Sequence, residues 1–145
     1  MPEGAGKTLL LDTHIWIWML EGGNPLLSPR VHDDINAVSQ TGTLLMSAIS
    51  VWEVALRESR GRVTLRQPVD EWIDALLRGP GARLLPLEPE IAIESTRLPG
   101  TAHGDPADRI LIASARVTGA RLVTCDARIL RYASDGHVPV LDARP

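Results

Sequence analysis

Short apolar runs alternate along this chain with longer segments whose apolar positions recur at helical spacing, and that alternation restricts the fold more than any other feature. Strands separated by a helix's length of chain cannot close hairpins. They pair in parallel through right-handed crossovers, and the crossover helices cover both faces of the sheet. The expected strands are Thr8–Leu11, Thr43–Met46, Arg83–Pro86, Arg121–Thr124 and Val138–Leu141. The expected helices are Thr13–Leu20, Pro29 to about Ser39, Ile49–Ser59, Val69–Leu77, Pro89–Leu98, Pro106–Val117 and Ala127–Tyr132. Ser28-Pro29 reads as an N-cap followed by proline at the first helical position, and Gly22-Gly23-Asn24-Pro25 and Gly79-Pro80-Gly81 read as breaks. The fold class that follows is α/β: a three-layer sandwich with a mostly parallel central sheet of four or five strands flanked by helices.

With 145 residues, 44% of them hydrophobic, the chain can take about 70% of its unfolded surface out of water. A single domain over residues 1–145 is expected, without linker, repeat or low-complexity tract. Cys125, the only cysteine, excludes an intrachain disulfide and any multi-thiolate metal site. Asp12 and His14 interrupt the apolar run after Lys7, which is too short for a signal-peptide core. No run approaches the roughly 20 residues of a membrane span. These features lead to the expectation of a soluble cytoplasmic protein without membrane association. The net charge of −3 gives no general attraction to phosphate. Lys7 is the only lysine, however, so 14 of the 15 basic residues are Arg, whose planar fork suits phosphate and carboxylate. Phe is absent and Tyr132 is the one Tyr, which argues against an aromatic platform for base stacking.

In open α/β sheets ligands bind beyond the carboxyl ends of the strands, so the residues standing there are the informative ones. Asp12 follows Leu9-Leu10-Leu11 directly, and Asp126 follows Thr124 and Cys125 at another strand exit. Asp105 and Asp108 open the helix that begins at Pro106, and Glu53 lies on the helix after the second strand. Capping accounts for Asp105 and could account for Asp12 and Asp126 taken singly. Asp108, which could also reach back as a capping-box acid, shares a helical face with Leu111, Ile112 and Ala115. Glu53 lies in an apolar arc with Ile49, Trp52 and Leu56, where a buried Arg partner is the plain alternative to a functional role. Caps have no reason to converge, whereas these acids would all be delivered to one edge of one sheet.

Several carboxylates in one pocket repel one another unless a cation neutralises them, and an all-oxygen set suits a hard ion such as Mg²⁺. Such an ion acidifies a bound water and neutralises charge on a phosphoryl group, so metal-assisted phosphodiester hydrolysis is the reaction class the residues point to.

Four stretches carry a resemblance: LLLDTHIWIW from Leu9, SAISVWEVA from Ser47, HGDPADRILIASA from His103 and LVTCDARIL from Leu122. In this order and spacing, over nearly the whole chain, the sequence resembles the PIN-domain ribonucleases, specifically the VapC-type toxins of bacterial toxin–antitoxin pairs. The resemblance implies a Mg²⁺-dependent endoribonuclease, with Mn²⁺ able to substitute. It places the four motif acids at Asp12, Glu53, Asp108 and Asp126, with Asp12 and Asp108 as direct metal ligands. Glu53 and Asp126 would hold the metal's waters, position the attacking water or bind a second ion. Thr124 matches the hydroxyl of a Thr-x-Asp element, and Asp105 stays open as a further ligand beside Asp108. A VapB-type antitoxin covering the cleft and a homodimer are implied as well.

Arg57, Arg60, Arg62 and Arg66 cluster just beyond Glu53, either as a solvated face or as phosphate contacts for RNA. His14 and His103 are expected to serve packing or hydrogen bonding, and Trp16, Trp18, Trp52 and Trp72 to pack in the core. Cys125 is expected to be a buried strand residue. Gly6-Lys7-Thr8 resembles the end of a phosphate-binding loop, but Met1 stands where the first glycine would be needed. A phosphoacceptor or aspartyl phosphatase would need a Lys near a late strand, and there is none. A non-catalytic PIN fold that binds RNA or a partner is the competing function.

Overall fold

A computed structural model describes residues 7–102 and 104–145, so His103 and the Gly6 of the loop-like tripeptide lie outside the described residues. The strands are β1 (Thr8–Leu11), β2 (Thr43–Ser47), β3 (Ala82–Leu85), β4 (Arg121–Thr124) and β5 (Val140–Asp142). The helices are α1 (Thr13–Leu20), α2 (Pro29–Thr41), α3 (Ala48–Ser59), α4 (Val69–Leu77), α5 (Pro89–Ser95), α6 (Pro106–Thr118) and α7 (Ala127–Ser134). All five strands pair in parallel in the order β3-β2-β1-β4-β5.

Leu9, Leu10 and Leu11 are 3%, 0% and 0% exposed, which requires a strand covered on both faces. Successive side chains alternate across the sheet, and the two cores follow that alternation. Leu9 and Leu11 join Ile15, Trp16, Ile35, Val54, Trp72 and Val123 on one side. Leu10 joins Leu111, Ile112, Leu122 and Ile129 on the other.

Local signals hold where they are chemically specific. Ser28 caps α2 by accepting the Val31 N–H, Pro29 is its first residue, and Gly119 closes α6 at φ 75° in the left-handed region. Boundaries shift where proline or a tertiary contact intervenes. Helix α5 ends at Ser95 rather than Leu98, because Pro99 disfavours helical geometry at Leu98 and the Arg109 side chain takes the Ser95 carbonyl. Strand β5 begins at Val140, after Pro139, which has no N–H to give a ladder. Strand β3 starts one residue earlier than expected, at Ala82.

Two packing expectations are corrected. Trp16 and Trp72 are buried and Trp18 is partly so, but Trp52 is 55% exposed. Helix α3 packs through Ser50 and Val54, each two residues or about 200° from Trp52 on the helical wheel, so the indole faces away from the core. Cys125 lies just beyond β4 and is only partly buried.

Candidate active site

Strand order reverses between β1 and β4, since the chain runs outward to β2 on one side of β1 and to β4 on the other. The carboxyl ends of these two strands therefore border the crevice where α/β sheets place their ligands. The Asp12 N–H donates to the Val123 carbonyl at 3.0 Å, which fixes the first acid beside the β4 exit.

Asp12 is 4% exposed. Its Oδ1 accepts the Thr13 N–H at 2.8 Å, capping α1, and its Oδ2 accepts the Thr124 hydroxyl at 2.7 Å. Thr124 Oγ1 in turn accepts the Asp126 N–H at 2.9 Å. Asp126 caps α7 through Oδ1 alone, which takes the N–H groups of Arg128 and Ile129 at 2.8 and 3.1 Å. His14 Nε2 accepts the Cys125 N–H, and its Nδ1 lies 3.5 Å from Asp12 Oδ2, so this ring bridges the exits of the paired strands β1 and β4.

Glu53 reaches the same corner from α3. Thr13 Oγ1 lies 2.6 Å from Glu53 Oε1 and 2.8 Å from Ser50 Oγ. A hydroxyl has one proton, so Thr13 donates to the carboxylate and accepts from Ser50. Sequence reasoning missed Thr13 and Ser50. The available signals were a hydroxyl next to Asp12 and another one helical turn before Glu53. The Arg partner considered for Glu53 is Arg57, at 3.8 Å on the same helix.

From α6, the exposed Asp105 accepts the Asp108 N–H at 3.1 Å and is the cap anticipated from Pro106. Asp108 is half-buried, and its carboxyl is pushed up to about 7, first by burial and then by the charges of Asp12, Asp105, Asp126 and Glu53. Glu53 is raised as well, chiefly by burial, against the opposing pull of Thr13 and Arg57. The five acids thus share one electrostatic space, although they arrive from the exits of β1 and β4, from within α3 and from the start of α6.

Among the described residues no three His, Cys, Asp or Glu side chains already stand at metal-binding separation. The acids therefore form no closed cage among themselves. Mg²⁺ tolerates such a site, because it keeps several waters and takes one or two carboxylates from the protein. The donor set fits a hard divalent cation: it is all oxygen, it is partly desolvated, and burial together with the charges of the neighbouring acids keeps the Asp108 proton bound up to about neutrality.

Arg57, Arg60 and Arg62 line a cleft of about 120 Å³ together with Trp52, Glu53 and Leu56. Arg66 is not among its lining residues, and its backbone N–H donates to Glu21. A larger hollow of about 790 Å³ between α5 and the end of α6 contains the Glu94–Arg116 ion pair but none of the five acids, so size does not mark the site.

The PIN domain family model matches residues 9–135. The chain is 33% identical over 122 residues to ribonuclease VapC22 of Mycobacterium tuberculosis, covering 84% of this chain and 89% of that protein. Its fold resembles that in the VapBC2 structure from Rickettsia felis bound to a promoter DNA fragment, with TM-score 0.69 and 13% identity over 93% of this chain and 98% of that one. It also resembles that in FitAcB from Neisseria gonorrhoeae, with TM-score 0.65 and 21% identity over 93% and 97% of the two chains.

Proposed function

The chain belongs to the PIN domain family, and from that premise we propose that it is a divalent-metal-dependent endoribonuclease acting as the toxin of a toxin–antitoxin pair. The observation that carries the site assignment is the Asp108 carboxyl, lifted to about 7 by burial and by four other acids around it. A partly buried carboxyl with four other acids around it is suited to a cation and to the anionic phosphate a cation brings. Similarity to a protein named a ribonuclease over most of both chains supports RNA as the substrate.

Asp12 and Asp108 are the residues that would hold the cation, Mg²⁺ with Mn²⁺ as a substitute. When bound, the ion would neutralise phosphoryl charge and make a coordinated water more acidic. The chain's own groups do the rest. Thr124 holds Asp12 Oδ2 in one orientation, and Asp126 keeps Oδ2 outside its two capping bonds. Thr13 fixes Glu53 through Oε1 while Arg57 lies 3.8 Å from Oε2, so the carboxylate is held in place to orient a water and accept its proton as the water attacks phosphorus; a P–O bond of the RNA backbone breaks and the leaving oxygen takes a proton from solvent. Asp105, the cap of α6, is a further candidate oxygen ligand beside Asp108.

The same reading supplies partners: a VapB-type antitoxin that covers the cleft, a second copy of this chain in a homodimer, and the RNA. Among the described residues no helix is long and apolar enough to cross a membrane. A cytoplasmic location is the one where RNA and antitoxin would be met.

The test is a cleavage assay on total RNA with antitoxin-free protein, comparing Mg²⁺ or Mn²⁺ with EDTA and including Asp12→Asn. Discrete products that need both metal and Asp12 are expected. Metal-independent binding without cutting by folded protein would instead favour the non-catalytic module.

A further inference from the structure

Trp52 is the tryptophan that folding leaves in water. Trp16 and Trp72 are 3% and 2% exposed, whereas Trp52 is 55% exposed on the outer face of α3. Burial in the core therefore does not account for this indole, which keeps a large open apolar face. Its neighbour in sequence is Glu53, and the two border one cleft with Leu56, Arg57, Arg60 and Arg62. Three guanidinium groups and one open aromatic face thus stand against a wall formed by a carboxylate of the acidic cluster.

Resting on the ribonuclease reading, we propose that this cleft is a nucleotide subsite. The Trp52 indole stacks on a nucleobase flanking the cut, and Arg57, Arg60 and Arg62 contact the phosphates that lead away from it. An unstacked base has a free face for an indole, and cations interleaved with an aromatic are the chemistry that tracks a single strand. A duplex offers no such face, so the base that Trp52 stacks on belongs to an unpaired stretch beside the cut. The charge pattern supports the same path. The five acids repel the RNA backbone everywhere except at the cation, while the arginines next to Glu53 attract it. One indole also suits a chain with no Phe and a single, buried Tyr: stacking here involves one base, without an extended platform. Trp52 is a substrate-positioning residue in this scheme and takes no part in the chemistry.

The experiment has a kinetic arm and a binding arm. On an oligoribonucleotide that the wild type cleaves, Trp52→Ala is expected to raise KM about tenfold or more with kcat little changed, and Trp52→Phe to recover most of the loss. Abasic residues placed singly around the cut should include one position that costs the wild type a similar factor and costs Trp52→Ala nothing further. Unchanged KM in Trp52→Ala, or abasic losses identical in the two proteins at every position, would overturn the subsite.

In EDTA, anisotropy of labelled single-stranded oligouridylate and oligoadenylate should show Trp52→Ala binding about tenfold more weakly than wild type, with both weaker on a duplex. This arm judges the subsite even if the wild type proves not to cut RNA, which is a failure of the ribonuclease reading alone. If Trp52→Ala leaves RNA binding intact but loosens the complex with the antitoxin, the face belongs to a protein partner and the proposal fails.

Discussion

The Thr124 hydroxyl donates to Asp12 Oδ2 at 2.7 Å across 112 positions of sequence, and both side chains are buried. Because Thr124 Oγ1 also accepts the Asp126 N–H, one threonine ties together two acids that leave the sheet from adjacent strands. Metal-ligating side chains depend on such supporting groups for their orientation, and loss of one typically costs 10- to 100-fold in affinity or activity.

Thr124→Val keeps the shape of the side chain and removes the hydroxyl. It should lower stability by about 1–3 kcal/mol, since a buried carboxylate oxygen and a backbone N–H both lose their partner. RNA cleavage should fall about tenfold or more, with Thr124→Ser retaining most of it. Urea unfolding and single-turnover cleavage measure the two effects, and full activity in the valine variant would remove Thr124 from the site.

Asp108 sets the pH dependence. Its native carboxyl holds a proton up to about 7, while in the unfolded chain an Asp titrates near 3.9. Between those values the folded protein binds more protons than the unfolded one, so metal-free stability falls as pH rises through that window and levels off above it. Glu53, also raised, acts in the same direction. Asp108→Asn should flatten the slope and abolish cleavage while leaving the fold intact. Mg²⁺ displaces the proton, so its apparent affinity for the wild type should rise over the same window. Urea midpoints against pH, with Mg²⁺ and with EDTA, test this. Full activity in Asp108→Asn would move the ligand role to Asp105.

Arg60→Ala and Arg62→Ala should each weaken RNA binding. Each phosphate contact removed reduces the slope of log affinity against log salt by about 0.7 for a single strand. An unchanged slope would return that residue to the solvated face.

Leu10, 0% exposed at the centre of the sheet, packs with Leu111, Ile112, Leu122 and Ile129. Leu10→Ala should cost about 2–5 kcal/mol in urea unfolding. A much smaller loss would mean that the layer between the sheet and α6 closes over the gap.

Much of this molecule was legible residue by residue, because the signals were local. Leu9-Leu10-Leu11 implied a strand covered on both sides, and the spacing of apolar runs implied parallel crossovers; the sheet has both properties. Ser28-Pro29 and Asp105-Pro106 marked helix starts through the chemistry of their own side chains. The positions of Asp12 and Asp126 at strand exits, of Glu53 on the helix after the second strand and of Asp108 in the first turn of its helix could likewise be counted along the chain, although their catalytic roles await the experiments above.

Long-range packing settled what counting could not. Strand order alone brings the β1 and β4 exits together, so the Thr124–Asp12 bond and the His14 bridge have no local signature. The Thr13–Glu53 pair exists because α1 and α3 pack side by side. Helical periodicity placed Trp52 in an apolar arc but could not say which part of that arc a neighbour would cover. Ser50 and Val54 took the packed side and left the indole in water. Periodicity reports what a segment could bury, whereas burial depends on what the rest of the chain brings against it.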